Sequence, residues 1–207
     1  MNPMIKYRGG KSKELSHFIN NMPEQYNRYI EPFLGGGALY FYLEPQNAII
    51  NDINTKLYSF YEQTKKEYPI VREQLDELQM IYEENQKAYD KLKKQHPEDR
   101  VENKNEALYY KMRDMFNHKT KCEYMDAVVY FFINKTAYSG MIRYNAKGEY
   151  NVPFGRYKNF NTKLITDKHH ELLNRTDIYN CDYSEIFNMA GNNDFIFLDP
   201  PYDCIFS

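Results

Sequence analysis

Tyr29-Ile30-Glu31-Pro32-Phe33-Leu34-Gly35-Gly36-Gly37 is a short apolar stretch that runs directly into three glycines. Ala38 to Leu43 then has the composition of a helix, which closes at Glu44-Pro45. Glycine lets a backbone approach a ligand closely, and a helix N-terminus offers unpaired N–H groups. The order strand, glycine turn, helix therefore predicts the first βα unit of a nucleotide-binding α/β fold. No Gly-Lys-Ser/Thr follows, so a phosphate-free ligand with a carboxylate and a ribose suits the turn better than a triphosphate.

The next apolar run supplies a carboxylate at the tip of a second strand. Ala48-Ile49-Ile50 ends at Asn51-Asp52, after room for one intervening helix. An acid in this position accepts ribose hydroxyls in dinucleotide-binding folds. Asn51-Asp52-Ile53-Asn54 also has the composition of a helix N-cap, and the two roles are compatible.

A third strand end lies near the C-terminus. The apolar run Asp194 to Leu198 meets Asp199-Pro200-Pro201-Tyr202, where two prolines stop any ladder. In open parallel sheets, ligands bind at this carboxyl edge. A surface turn is the alternative, since Asp-Pro often opens one. A related strand end, Asp177 to Tyr183, carries another acid and aromatic, with Ser184 expected to cap the helix that follows.

The N-terminal stretch Lys6-Tyr7-Arg8-Gly9-Gly10-Lys11 is glycine-rich and basic. It predicts an electropositive loop able to approach a ligand closely, or else a disordered basic terminus.

The middle of the chain has a different character. From Asn54 to about Lys121 apolar residues recur at three- and four-residue steps among many charges, which predicts helices outside the sheet. Cys122 to Asn134 is more apolar and predicts a buried helix. We therefore expect residues 62–164 to form an insertion and residues 1–61 and 165–207 to form the α/β core.

A basic hairpin is predicted at the end of the insertion. Asn145-Ala146-Lys147-Gly148 has the composition of a turn between two extended stretches. From Lys135 to Lys168 seven Lys and Arg stand against two acids, a net charge of +5 in a chain whose net charge is −2. Cations interleaved with Tyr and Phe suit phosphate contact and base stacking, although a solvated hairpin has the same composition.

The cysteine content and the lengths of the apolar runs indicate the cellular environment of the protein. The three cysteines, Cys122, Cys181 and Cys204, have no paired or metal-like spacing, which fits a reducing, cytoplasmic environment. No apolar run is long enough to span a membrane, and no signal peptide precedes the first helix. His169-His170 is expected to lie on the surface, without a metal.

Taken in order, these motifs resemble those of the Dam-type (D12-class) DNA adenine-N6 methyltransferases. The resemblance is carried by Lys-Tyr-Arg-Gly-Gly-Lys, Glu-Pro-Phe-Leu-Gly-Gly-Gly, Asn-Asp-Ile-Asn and Asp-Pro-Pro-Tyr, with Asn-Val-Pro-Phe-Gly-Arg-Tyr-Lys between the last two. It covers nearly the whole chain and is weakest across residues 62–121. It implies a Rossmann-like, S-adenosylmethionine-dependent core with a helical and β-hairpin target-recognition insertion, acting on double-stranded DNA.

The family pattern also implies roles for individual residues. S-adenosylmethionine would lie over the glycine turn, and the target adenine would be flipped out of the duplex because its N6 is inaccessible in the stack. The residues implied to bind the cofactor are Tyr7, Lys11, Phe33, Gly35, Gly37, Asp52, Asp182, Tyr183 and Asp199. The catalytic residues are Asp199, Pro200 and Tyr202, where Tyr202 stacks on the base and the other two accept the N6 hydrogens. The residues implied to contact DNA are Lys135, Tyr138, Met141, Arg143, Asn145, Arg156 and Lys158.

Two other classes remain open at this stage. One is a methyltransferase for RNA or protein, and the other is a non-catalytic nucleic-acid binder that keeps the fold. The family's sheet continues beyond Asp-Pro-Pro-Tyr, whereas this chain ends at Ser207. The sequence therefore also suggests an incomplete core of little activity by itself, with an exposed strand edge that invites self-association or a complementary C-terminal segment.

Overall fold

The computed structural model describes residues 1–7, 9–11 and 14–200. The chain divides into two compact units. Unit 1 combines Met1–Lys66 with the chain from Thr166 onward, and unit 2 is Glu67–Ile165. The boundaries at 66 and 165 lie slightly later than the 61 and 164 expected from the sequence, because the helix that begins at Thr55 belongs wholly to unit 1.

Unit 1 contains a parallel sheet of four strands. These are β1 (Tyr29–Glu31), β2 (Ala48–Asn51), β3 (Thr176–Tyr179) and β4 (Phe195–Ile196), in the order β3-β2-β1-β4. All three neighbouring pairs are parallel. The predicted α/β class is confirmed, and each strand starts within one residue of a stretch that the sequence analysis interpreted as a strand or strand end.

The strand order reverses direction between β1 and β4. Strands β1, β2 and β3 step one way across the sheet, and β4 returns to the other side of β1. In open parallel sheets the crevice at such a switch point is where ligands bind. The segment after β1 is the glycine turn and the segment after β4 is Leu198-Asp199-Pro200, so the two most informative motifs flank one crevice.

Helices cover both faces of this sheet. Ile30 and Ile49 pack with Ile186 on one face, within a buried cluster that also contacts Ile196. On the other face the ring of Tyr29 packs against that of Tyr40, with centroids 6.3 Å apart. Since neighbouring residues of a strand point to opposite faces, Tyr29 and Ile30 belong to different layers and the fold is doubly wound.

The helices of unit 1 follow the predicted pattern with two corrections. They are α1 (Leu15–Phe18), α2 (Ala38–Leu43), α3 (Thr55–Lys66), α7 (Asp167–Asn174) and α8 (Tyr183–Met189). Asp182, and not Ser184, caps α8, since its carboxylate accepts from the Ser184 N–H. His169 is buried, and not on the surface, because it completes a capping box with Thr166 and contacts the Asn2 carbonyl through Nε2 at 2.9 Å.

Unit 2 is built from three helices and an irregular segment that carries the hairpin. The helices are α4 (Tyr68–Gln95), α5 (Lys104–Phe116) and α6 (Asp126–Thr136). Pro69 stands in the first turn of α4, where its missing N–H costs nothing. The buried helix expected from Cys122 begins later, at Asp126, and nine of its eleven residues are buried. No helix among the described residues is long and apolar enough to cross a membrane.

Candidate active site at the carboxyl edge of the sheet

The glycine turn is held by one residue that follows β2 and one residue on α3. Gly35 and Gly37 have φ of +52° and +65°, a region that glycine enters without strain. Tyr61 donates its hydroxyl to the Gly35 carbonyl at 2.9 Å, and Asp52 Oδ2 accepts from the Gly35 N–H at 2.9 Å. Because both backbone groups of Gly35 are engaged, the turn has a defined shape in the protein itself.

Asp52 is a half-buried carboxylate at the end of β2. Besides Gly35, it accepts from the Asn54 N–H through Oδ1 at 2.9 Å. Asn54, and not Asp52, caps α3, with its Oδ1 accepting from Lys56 N–H at 3.1 Å. Burial raises the pKa of Asp52, while the two N–H donors act in the opposite direction. Each carboxylate oxygen has a second lone pair, so Asp52 retains capacity to accept from a ligand hydroxyl.

Tyr7 lies directly against the turn. A Cβ placed on Gly35 would be 2.9 Å from the Tyr7 ring, and one placed on Gly36 would be 2.9 Å from the Tyr7 Cβ. These distances are shorter than real side chains allow, so residues 35 and 36 must be glycine with Tyr7 in this position. The structure therefore brings the N-terminal motif and the glycine motif together.

Asp199 lies within reach of Lys11. The Lys11 ammonium is 3.3 Å from Asp199 Oδ1, and both side chains are mostly shielded from solvent. Lys11 belongs to the N-terminal motif and Asp199 follows β4, so this pair connects the two sides of the crevice. Pro200 is described and exposed, whereas Tyr202 and Pro201 lie outside the described residues.

An aromatic pair flanks the other side of the turn. Phe33, which follows β1, and Tyr183, the first residue of α8, have ring centroids 5.2 Å apart. Asp182 is exposed, and its Oδ1 accepts from both the N–H and the hydroxyl of Ser184, which lowers the pKa of Asp182. Asp182 therefore caps α8 through Oδ1, while the residue as a whole is exposed to solvent.

Three groups at this edge were not identified from the sequence as functional. Ile53 is 71% exposed immediately after Asp52, an unusual position for an isoleucine and one that offers apolar surface beside the carboxylate. Asn51 joins two strand ends, donating to the Pro32 carbonyl at 3.0 Å and accepting from Cys181 N–H at 3.0 Å. Glu31 is buried at the end of β1. Of these three residues, only Ile53 could have been recognised from the sequence, because it is an apolar residue between the polar residues Asp52 and Asn54 at the start of a helix.

The predicted hairpin forms in unit 2, although as single bridges and not as a ladder. Tyr144 pairs with Tyr150 and Ala137 with Phe154, both antiparallel. Asn145 closes the turn, since its Oδ1 accepts from the N–H groups of Lys147 and Glu149 and its amide donates to the Glu149 carboxylate. The Asn145 side chain therefore stabilises the turn itself and does not point outward toward a partner.

The remaining predicted DNA contacts lie on the outer part of this hairpin region. Tyr138, Met141 and Arg143 are exposed, and Tyr138 exposes 56% of its surface. Asn151 Oδ1 accepts from Arg143 Nε at 2.9 Å, which fixes the plane of the guanidinium. Arg156 and Lys158 are also exposed, and Arg156 has φ of +55°, a conformation that costs a non-glycine residue about 1–2 kcal/mol.

Lys135 differs from these residues. It lies in the last turn of α6, half-buried, with its ammonium 5.2 Å from the centre of the Phe131 ring. Its position supports the helix end that precedes the hairpin.

Comparison with known proteins gives the class directly. The family model for D12 class N6 adenine-specific DNA methyltransferases matches residues 7–205. The match spans both units and contains all of the motifs described above except Lys6, the first residue of the N-terminal one. The chain belongs to the D12 class N6 adenine-specific DNA methyltransferase family.

Individual relatives agree with this assignment. The Type II methyltransferase M.MjaIII of Methanocaldococcus jannaschii is 36% identical over 97% of this chain and 68% of its own length. The Type II methyltransferase M.CviBI of Paramecium bursaria Chlorella virus NC1A is 32% identical over 100% of this chain and 71% of its own. The DNA adenine methylase of Escherichia coli K12 is 28% identical over 96% of this chain and 64% of its own. The chain thus spans about two thirds of the length of these relatives.

Proposed function

We propose that this protein transfers a methyl group from S-adenosylmethionine to N6 of an adenine in a specific sequence of double-stranded DNA. Membership of the family supports the reaction type. The observation that carries the proposal is the position of Asp199 at the switch point of the sheet, beside the glycine turn and 3.3 Å from Lys11. Since its proposed substrate is DNA, the protein would act in the cytoplasm.

The crevice has the donor set that the cofactor requires. When bound, S-adenosylmethionine supplies an activated methyl group on a positively charged sulfur. Asp52 would accept from its ribose hydroxyls, and Ile53, Phe33 and Tyr183 would cover the faces of its adenine. Tyr7 packs directly against the backbone of Gly35 and Gly36 and would therefore form part of the wall of the cofactor site.

Asp199 and Pro200 would hold the target base. The N6 lone pair of adenine is delocalised into the ring, so the amino group is a poor nucleophile. A carboxylate and a carbonyl that accept its two hydrogens favour a tetrahedral nitrogen and aim the lone pair at the methyl group. As the N–C bond forms and the bond between the donor sulfur and its methyl group breaks, N6 would become positively charged and the Asp199 carboxylate would stabilise that charge. N6 would then lose one of its two hydrogens to solvent as a proton, and the donor would leave as a neutral thioether. Tyr202, outside the described residues, would stack on the base.

We further propose that unit 1 is the catalytic core and unit 2 the target-recognition region. Arg143, oriented by Asn151, would read a base edge, because Arg is the commonest reader of guanine. Tyr138 and Met141 offer exposed apolar surface to an opened base step. Arg156 and Lys158 would hold phosphates, and Lys135 and Asn145 would support the helix end and turn that present these groups.

A transfer assay with methyl-labelled cofactor tests the proposal. Duplex DNA, RNA and a protein mixture are offered separately, and the labelled DNA is digested to nucleosides. We expect label in N6-methyl-2′-deoxyadenosine from duplex DNA alone. Asp199→Asn, which keeps shape but removes the charge, should lower transfer by roughly 100–1,000-fold, as for loss of one preorganised charge-stabilising group. Label in RNA or protein, or none anywhere despite cofactor binding, would contradict the proposal.

A further inference from the structure

Glu31 is a buried carboxylate among other acids at the mouth of the crevice. It is 3% exposed at the end of β1, four positions before Gly35 of the glycine turn. The Tyr29 hydroxyl donates to its Oε2 at 2.7 Å, and the Tyr40 backbone N–H in the first turn of α2 donates to the same carboxyl group. The carboxyl group thus links the end of β1 to the start of the helix that follows the turn.

Two other carboxylates act on Glu31 from the ends of neighbouring strands. The carboxylates of Asp199, after β4, and of Asp52, after β2, both act on it unfavourably. Asp199 has the Lys11 ammonium 3.3 Å away, and Asp52 has two backbone N–H donors. Among the described residues no Lys, Arg or His forms an ion pair with Glu31.

Burial is the main reason why the Glu31 carboxyl group holds its proton more strongly than an exposed glutamate, and the neighbouring acids strengthen this effect. Together they raise the pKa of Glu31 to about 8, although the Tyr29 hydrogen bond opposes the shift. Near neutral pH the group therefore carries its proton in the free protein. A positive charge brought into the crevice favours the ionised carboxylate and expels that proton.

We propose that Glu31 is a specificity-determining residue that releases its proton when the positively charged methyl donor binds, and thereby favours the donor over its uncharged product. The proposal rests on the proposed function. The donor S-adenosylmethionine carries a sulfonium, whereas S-adenosylhomocysteine, left after transfer, has a neutral thioether. The proton leaves Glu31 for solvent on donor binding and returns from solvent after the methyl group has gone, so charge balances over a turnover.

The sign of the pH effect follows from this exchange. Below its raised pKa, Glu31 must lose a proton for the donor to bind, so donor affinity rises as pH rises toward about 8. If the donor lowers the pKa by about one unit, affinity for it should rise roughly fourfold between pH 7.0 and 8.5. Affinity for S-adenosylhomocysteine should not show this rise.

Glu31→Gln is the matched variant, since it keeps the shape of the protonated acid and its amide oxygen can still accept from the Tyr29 hydroxyl. Titration calorimetry without DNA, repeated in buffers of different ionisation enthalpy, counts the protons released on binding. At pH 7.5 the wild type should release roughly half a proton more than Glu31→Gln with S-adenosylmethionine. The two proteins should release the same number with S-adenosylhomocysteine. Comparing variants on one ligand cancels the titration of the ligand's own amino group.

Tyr29→Phe provides a second test, and its expected result would not arise if Glu31 had a purely structural role. Loss of the hydroxyl donor raises the pKa of Glu31 further, so proton release should persist but shift to higher pH. Equal proton release by wild type and Glu31→Gln with the donor would overturn the inference and leave the proposed function intact. Absence of any donor binding by the wild type would overturn both.

Discussion

The turn at Gly35 and the turn at Gly148 both contain a glycine with positive φ, and they are stabilised in opposite ways. Gly35, at +52°, is enclosed by the Tyr7 ring and held by Tyr61 and Asp52, which come from elsewhere in the chain. Gly148, at +74°, has nothing within 4 Å of an added Cβ, and its turn is closed by Asn145, three residues away. The first turn depends on the whole of unit 1, whereas the second is a local structure presented to solvent.

The difference corresponds to the two proposed tasks. A small cofactor must be held in one geometry, and long-range hydrogen bonds provide that rigidity. A DNA-reading hairpin must reach outward, and a self-contained turn allows this without disturbing the core. Substitutions at the first turn should therefore affect cofactor and fold together, while substitutions at the second should affect DNA alone.

Among the variants that test the difference between the two turns, Asp52→Ala should have the largest effect. It removes a ligand for the ribose and also the acceptor for the Gly35 and Asn54 N–H groups. We expect S-adenosylmethionine affinity to fall by about 1.5–3 kcal/mol for each charged hydrogen bond lost. Calorimetric titration measures this, with Asp177→Ala, an exposed acid on β3, as the control. Unchanged affinity in Asp52→Ala would show that the turn does not depend on its distant contacts.

Arg143→Ala should affect only the DNA side. Its guanidinium is oriented by Asn151 on an exposed hairpin, and losing a base-reading Arg costs about 1–3 kcal/mol of discrimination. Mapping methylated sites across a mixed-sequence DNA should therefore show a relaxed target motif. Cofactor affinity should be unaltered. An unchanged motif would assign sequence reading to another residue.

The pair Gly35→Ala and Gly148→Ala tests the two turns directly. Both place a Cβ at positive φ, which costs about 1–2 kcal/mol. Only Gly35→Ala also forces the Cβ against Tyr7, so it should destabilise more and weaken cofactor binding. Urea unfolding and cofactor titration of both variants provide the comparison. Equal loss of stability, with cofactor binding intact in both variants, would mean that the Tyr7 side chain moves aside at little cost in free energy.

Lys158→Ala should give the smallest change. As a phosphate contact it should lower DNA affinity for all sequences alike and reduce the slope of log affinity against log salt by about 0.9. Binding measured from low to moderate salt checks this, and Lys91→Ala on α4 is a control for general charge loss. A changed target motif would place Lys158 among the base readers.

The sequence predicted the hairpin turn better than the glycine turn, for a physical reason. Asn145 acts on residues within four positions, so its role can be read locally. Tyr61 and Asn51 act across the sheet, and no local pattern reveals that their partners are Gly35, Pro32 and Cys181. The same limit explains His169, which was expected at the surface and is buried against Asn2.

The strand ends were predictable because each joins an apolar run to a polar tip. The parallel order β3-β2-β1-β4 follows the rule for such folds once the four runs are identified. The helix caps were less predictable, since Asp182 and Ser184 are both good caps and only the backbone geometry distinguishes them.

The division of unit 1 into two chain segments has a consequence for how the protein folds. Strand β2 pairs with β3, yet all of unit 2 lies between them in the chain. On a ribosome, β1 and β2 emerge early and must wait for β3 and β4 before the sheet can close. Unit 2 is complete before they emerge, and domains generally fold as units during synthesis. We therefore expect the helices of unit 2 to form first, and the crevice at the carboxyl edge of the sheet to be the last part of the molecule assembled.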